Sequence, residues 1–283
     1  MRTNGSALTE WLICVPVLLM LGLGFFQASE LILARLALRH ALDEAARAGS
    51  VANASRESIL AGLGDGLAPW RFGANGTAQL ISARLRSRAE ISLGRAAGWI
   101  ELRQLSPTQA SWSDWGEPAR DHQGALIGGQ QIAFDALATE YRLRQPNGGA
   151  SALRGVEPLG PRSQQTLAEA NLLTLELVYG VPLRIPFAAS AIIAALKRVD
   201  GCPASTPSSG ATLANGGSAN GLSASSVDAF AGTSAFGGSA WACRYYQATD
   251  LQGQSSARIP IRLRTTIRMQ SPAHQKGSLL EAG

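Results

Sequence analysis

Charge is scarce in this chain. Only 16% of its 283 residues are Asp, Glu, Lys or Arg, and mean hydropathy is close to zero. That is too apolar for a disordered chain and too polar for a polytopic membrane protein. Cysteine is rarer still, at three residues, and no CxxC or neighbouring histidine completes a zinc site. The net charge of +5 is mostly arginine and is spread out. Without a basic run or a helix-turn-helix signature the chain is not expected to bind nucleic acid, and its basic balance reads as a solvated surface near anionic lipid. No glycine-rich loop has the preceding strand, following helix and Lys-Ser/Thr end of a phosphate site. No cofactor, metal or small-molecule substrate is expected.

Against this background stands one hydrophobic run. From Trp11 to Phe26 every residue is apolar or glycine. The run falls short of the roughly 20 residues that cross a bilayer. With Ser6–Thr9 before it and Gln27–Ser29 after it, a span over about residues 8–30 is expected. Gln27-Ala28-Ser29 is a poor secretory cleavage site, because the helical pattern continues through it. Pro16 removes a backbone donor and predicts a kink. Past Leu31, Ala34, Ala37, Ala41, Ala45 and Ala48 recur at spacings of three and four, so they share one helical face. Such a stripe admits another backbone closely, either from the protein's own sheet or from a partner helix. Gly49 suits the helix end.

Two features do not belong to a plain anchor. Glu10 precedes the apolar run, where a carboxylate costs about 2.5–3.5 kcal/mol to insert and marks a functional position. Before it, a short polar tip carrying Arg2 ends in Gly5-Ser6. This arrangement resembles the class III signal of type IV pilins. Within that group, Glu10-Trp11-Leu12-Ile13-Cys14-Val15-Pro16 and the ending Glu44-Ala45-Ala46-Arg47-Ala48-Gly49 resemble the TadE-like minor pseudopilins of the tight-adherence (Flp) pilus. The resemblance covers residues 5–49. Leu173–Phe187 and Arg268–Ala273 resemble the soluble part of larger TadE-like proteins more loosely.

The resemblance implies a leader, 1–5, cut by a prepilin peptidase between Gly5 and Ser6, and a helix over 6–49. Glu10 becomes the fifth residue of the mature chain and pairs with a freed N-terminal amine. The helix then packs with other pilins and the assembly platform through Glu10, Pro16 and the alanine stripe. It further implies a single pass through the bacterial inner membrane, with the N-terminus cytoplasmic and the following domain periplasmic, and no catalysis. The flanking charges do not set this orientation, because Arg35, Arg39 and Arg47 beyond the span are offset by Glu30, Asp43 and Glu44. A soluble part this large fits a minor or priming subunit.

The rest reads as a domain over 50–270 and a loose tail, 271–283. A helical turn near Ser58–Leu63 precedes a glycine-rich loop. A helix over Thr77–Ala97 points Ile81, Leu85, Ala89 and Leu93 inward, and a strand follows at Trp99–Leu105. Leu173–Phe187 alternates with period two, Pro182 marks an edge or bulge, and Phe187–Val199 is a short helix with Ile192, Ile193, Leu196 and Val199 inward. In the last strand, Ser256–Met269, four arginines share one exposed face: Arg258, Arg262, Arg264 and Arg268. The fold class is α+β, with helices packed on a small antiparallel sheet as in pilins. Cys202 and Cys243 bracket a Gly/Ser/Ala-rich loop. They pair in an oxidising compartment, for roughly 4 kcal/mol, and stay free in the cytosol; the periplasmic expectation favours the bond, with Cys14 left free.

Two other functions compete with the pseudopilin reading. One is an uncut single-span envelope scaffold. The other is an anchored hydrolase using Asp114, Glu117, Asp121 or His122, since acids beside Trp112 and Trp115 are a glycosidase-like set; the simpler reading is a polar loop pinned by its tryptophans.

Overall fold

The computed structural model describes residues 6–73, 76–121, 123–134, 143–183, 186–202, 240–246, 248 and 256–282. The protein is α+β. Its chain forms two compact units, Met1–Leu31 with Gly180–Ile261 and Ile32–Tyr179 with Arg262–Gly283. One helix, α1 (Ser6–Val51), contributes to both, and so do the two longest strands, β6 (Leu172–Pro182) and β7 (Arg258–Arg268).

The larger unit is built on α1 from Ile32 onward. Leu38, Leu42, Ala45 and Ala46 of that part are fully or almost fully buried. The helix packs on a sheet of order β1-β6-β7, with β1 at Ile100–Ser106. β1 and β6 run antiparallel, from Ile100 opposite Tyr179 to Ser106 opposite Thr174, with a bulge between Gln104 and Ser106. Thr265 of β7 donates to Asp43 of α1 at 2.6 Å. After α1 the chain turns through Asn53 and Ala54, both with positive φ. Ser55 then caps α2 (Arg56–Phe72) by accepting from the Ser58 N–H. Gly62 lies in α2, as the helical turn near Ser58–Leu63 led one to expect, but Gly64 and Gly66, expected in the loop after it, lie inside the same helix. A Cβ at Gly66 would stand 2.5 Å from Ala41 Cα, and one at Gly62 would stand 2.8 Å from Ala48 Cβ. Their absent side chains let α2 lie directly on the alanine face of α1.

Helix α3 (Thr77–Ala96) packs the other way round from expectation. Ala83, Ser87, Ile91 and Gly94 face inward, while Ile81 and Leu85 are 60% and 62% exposed. The small residues win the inner side because the approach is close: a Cβ at Gly94 would meet Ile100 Cδ1 at 2.5 Å. Across the same region Tyr179 meets Trp99 and Trp70 edge-on, with centroids 5.6 and 6.3 Å apart. Its hydroxyl donates to Glu90, which also takes Arg71 at 2.6 Å.

A second sheet, order β2-β3-β8, joins Gly116–Arg120, Leu126–Ile132 and Ala273–His274, and a hairpin pairs β4 (Ala152–Arg154) with β5 (Glu157–Leu159). β8 corrects the expectation of a loose tail. Gln270 N and Ser271 N donate to Ser50 O, Asn53 Nδ2 donates to Pro272 O at 2.8 Å, and His274 N donates to Asn53 O. Residues 270–274 thus clamp the α1–α2 turn, and Met269 and Ala273 are fully buried.

The smaller unit holds α6 (Pro186–Val199; α4 and α5 are the short helices Gln109–Trp115 and Leu167–Ala170). Ile193 faces a cluster with Ala242 and Tyr246, and Leu196 packs at its edge. Val199 is exposed rather than inward. Cys202 and Cys243 form a disulfide, S–S 2.03 Å, and Cys14 is free. Burial pushes the Tyr246 phenol upward in pKa, and the hydrogen bond it donates to Asp200 at 2.5 Å adds to this. Arg258, expected on an exposed face, is buried and donates to Gly180 O at 3.2 Å.

Candidate functional site

The chemistry-bearing part of the sequence is α1, which has two characters. From Trp11 to Phe26 nearly every side chain is exposed, including Trp11, Leu18, Leu21 and Phe25. Among the described residues this is the one helix long and apolar enough to cross a membrane. A helix with this many exposed apolar side chains needs a low-dielectric surrounding, because those side chains have entered no core. Pro16 lies within the helix, and no break in the helical assignment accompanies it. Ser29 donates back to Phe25 O at 2.9 Å, which satisfies its hydroxyl within the helix. Gln27 is 2% exposed, with both amide atoms unpaired. Sequence reading passed over it as part of a failed cleavage motif.

From Ala34 onward the helix belongs to the larger unit. Ala34, Ala41 and Ala45 are fully buried, and Ala37 and Ala48 are half-buried. The sequence left two partners open for this stripe, the protein's own sheet or another subunit. Ala41, Ala45 and Ala48 instead meet Gly62 and Gly66 of α2, a helix of the same chain. Gly5 and the Glu10 side chain lie outside the described residues, whereas Ser6 begins the helix.

The acids considered for catalysis do not form a dyad. Asp114 is buried, and its Oδ2 accepts from Arg162 N, Ser163 N and Ser163 Oγ at 2.7–3.0 Å, tying α4 to the loop before α5. Glu117 is paired with Arg144. Asp121 Oδ1 accepts from Gln123 N and Ala125 N at 2.9 Å, closing the β2–β3 turn. His122 lies outside the described residues. Trp112 and Trp115 are buried, and their indole N–H groups donate to Ala273 O and Gln165 O. Each group is thus committed to its own turn or core contact. Among the described residues no group of three His, Cys, Asp or Glu is arranged for a metal ion.

Part of the expected arginine face of β7 is spent internally, while Arg268 stays exposed as expected. Glu176, 3% exposed, accepts from Arg262 Nε at 2.5 Å and Arg264 Nε at 2.7 Å. Burial alone pulls this carboxyl upward; the two arginines outweigh it and hold the pKa below the usual carboxylate range. His274, at the clamp, is pushed downward by burial.

The family model described as TadE-like protein matches residues 5–47. No curated protein and no solved structure matches the chain.

Proposed function

We propose that this chain is a minor pseudopilin-type component of a tight-adherence pilus system, without catalytic activity of its own. The observation that carries the reading is the coincidence of the TadE-like match, residues 5–47, with a helix whose first part is exposed and long enough to span a membrane. In this reading the N-terminus is cytoplasmic. A prepilin peptidase cuts between Gly5 and Ser6, and the helix stays in the inner membrane with the domain that follows it in the periplasm. The disulfide supports an oxidising compartment. Cutting there frees an amine about one helical turn before Glu10, so that the carboxylate gains a cation within the bilayer, either its own or a neighbour's.

Assembly then rests on the exposed part of α1. The lower alanine stripe is not available for it, because α2 already covers Ala41 and Ala45. Intact mass of the membrane-extracted protein tests the reading. A chain beginning at Ser6 is expected in cells with an active prepilin peptidase, and Gly5→Leu should retain the leader and stay unassembled. A full-length N-terminus in those cells defeats the proposal and leaves the uncut scaffold. Glu10→Ala should be processed and folded but lost from pilus-associated fractions; normal piliation in that variant removes Glu10 from assembly.

A further inference from the structure

The exposed apolar side of α1 does not stop where the span stops. Ile32, Leu33 and Leu36 are 62%, 59% and 64% exposed. Arg35 and Arg39 are exposed beside them. With 3.6 residues per turn, Arg35, Arg39, Ile32 and Leu36 fall on one side of the helix. Among the described residues neither arginine makes a hydrogen bond or ion pair. Of the three nearby acids, Asp43 accepts from Thr265, Glu44 pairs with Arg47, and Glu30 has a partner other than these arginines. The Thr265–Asp43 contact also ends the open face, because β7 lies over α1 there. The patch is therefore bounded by the span on one side and by β7 on the other.

Length decides what meets this patch. From Trp11 to Leu36 the helix rises about 38 Å. A bilayer's hydrocarbon is about 30 Å thick, and about 40–45 Å with its headgroup layers. With Trp11 at one interface, as aromatic belts favour, the helix leaves the hydrocarbon near Leu31 and its next two turns cross the headgroup layer. That layer offers both chemistries the patch presents. Its acyl and glycerol side takes Ile32, Leu33 and Leu36, and its phosphates take guanidinium groups, which bind them in a bidentate manner. We propose that Arg35 and Arg39, with Ile32, Leu33 and Leu36, form a binding site for anionic phospholipid headgroups in the leaflet next to the larger unit. This rests on α1 as the membrane anchor and not on a role in pilus assembly.

Full-length protein reconstituted in vesicles of phosphatidylcholine mixed with phosphatidylglycerol tests it. Spin-labelled phosphatidylglycerol should show a larger motionally restricted fraction than spin-labelled phosphatidylcholine, a severalfold preference that weakens with added salt. The double variant Arg35→Gln/Arg39→Gln should show none; both sites are exposed, so folding is unaffected. A fluorophore on Leu36→Cys, in a Cys14→Ser chain, should be quenched by headgroup-attached quencher. An unchanged preference in the double variant overturns the site. So does a Leu36→Cys label shielded in proportion to protein density, which means that a second protein covers the face. A label on native Cys14 separates the premises: Cys14 in hydrocarbon with the Leu36→Cys label in water overturns the lipid site alone, and Cys14 in water overturns the anchor with it.

Discussion

The two stretches of α1 are both rich in leucine, and their leucines have opposite fates. Leu18 and Leu21 are mostly exposed, while Leu38 and Leu42 are fully buried. Leucine content does not separate them; charge and small residues do, since Trp11–Phe26 carries no charged residue and Ala34–Ala48 carries Arg35, Arg39, Asp43, Glu44 and Arg47. Between Ala34 and Ala48 alanines recur on one face, and α2 answers with Gly62 and Gly66, so backbone meets backbone. From Trp11 to Phe26 the glycines, Gly22 and Gly24, have nothing within 4 Å of where a Cβ would stand. A stretch with a complementary small surface folds into the protein; one without it is left for the bilayer.

The sharpest way to break this comparison is to truncate one leucine in each stretch. Leu42→Ala should destabilise the larger unit by about 2–5 kcal/mol through lost burial and a residual cavity. Leu18→Ala should change it by less than about 0.5 kcal/mol. Hydrogen exchange of the larger unit's amides measures both, and equal effects would end the distinction. Next in size is the disulfide. The Cys202→Ser/Cys243→Ser variant should weaken the smaller unit by about 2–4 kcal/mol and leave exchange in the larger one unchanged. Thiol labelling of unreduced, denatured wild type should find Cys14 alone.

Acid acts on the larger unit in two windows. Above pH 6.5 His274 is neutral folded and unfolded. As pH falls below 6.5 the unfolded chain takes a proton that the folded one resists, so stability drops. Glu176 adds a second loss. Its folded pKa lies below the ordinary 4.5, so its contribution is complete above that value and disappears as pH falls through the folded pKa. Thermal melts across pH should show both, with His274→Asn flattening the upper window and Glu176→Gln the lower. The smallest effect belongs to α3: Leu85→Ser should shift stability by no more than about 0.5 kcal/mol, although its spacing reads as core. A large loss there would mean that Leu85 packs inside.

How much was legible follows from the kind of signal. The unbroken run of α1 and the period-two strands β1, β6 and β7 were readable, because length and alternation are local properties. The glycines of α2 misled. Glycine usually marks a turn, and only the facing Ala41 explains why Gly66 sits inside a helix. The inner side of α3 misled for the same reason, since Gly94 faces Ile100 where a larger residue would not fit. Beyond Met269 the tail gave no periodicity that could announce β8. Its order comes from Asn53 and Ser50, far away in sequence. In the candidate site the span was readable from composition. The occupation of the alanine stripe by α2 was not, since alanine spacing does not say whose backbone approaches.

The clamp at the α1–α2 turn has a consequence for synthesis. Ser271 and Ser50 are hydrogen-bonded across 221 positions, and the whole of Gly180–Ile261 must be made between them. When the ribosome has finished α1 and α2, the strand that closes their turn does not yet exist. The buried face of α1 around Leu38 and Leu42 waits without β7 for most of the chain's elongation. The larger unit is therefore completed by one of the last segments to emerge, and a chain stalled before Thr265 would carry α1 with the core of that unit still open.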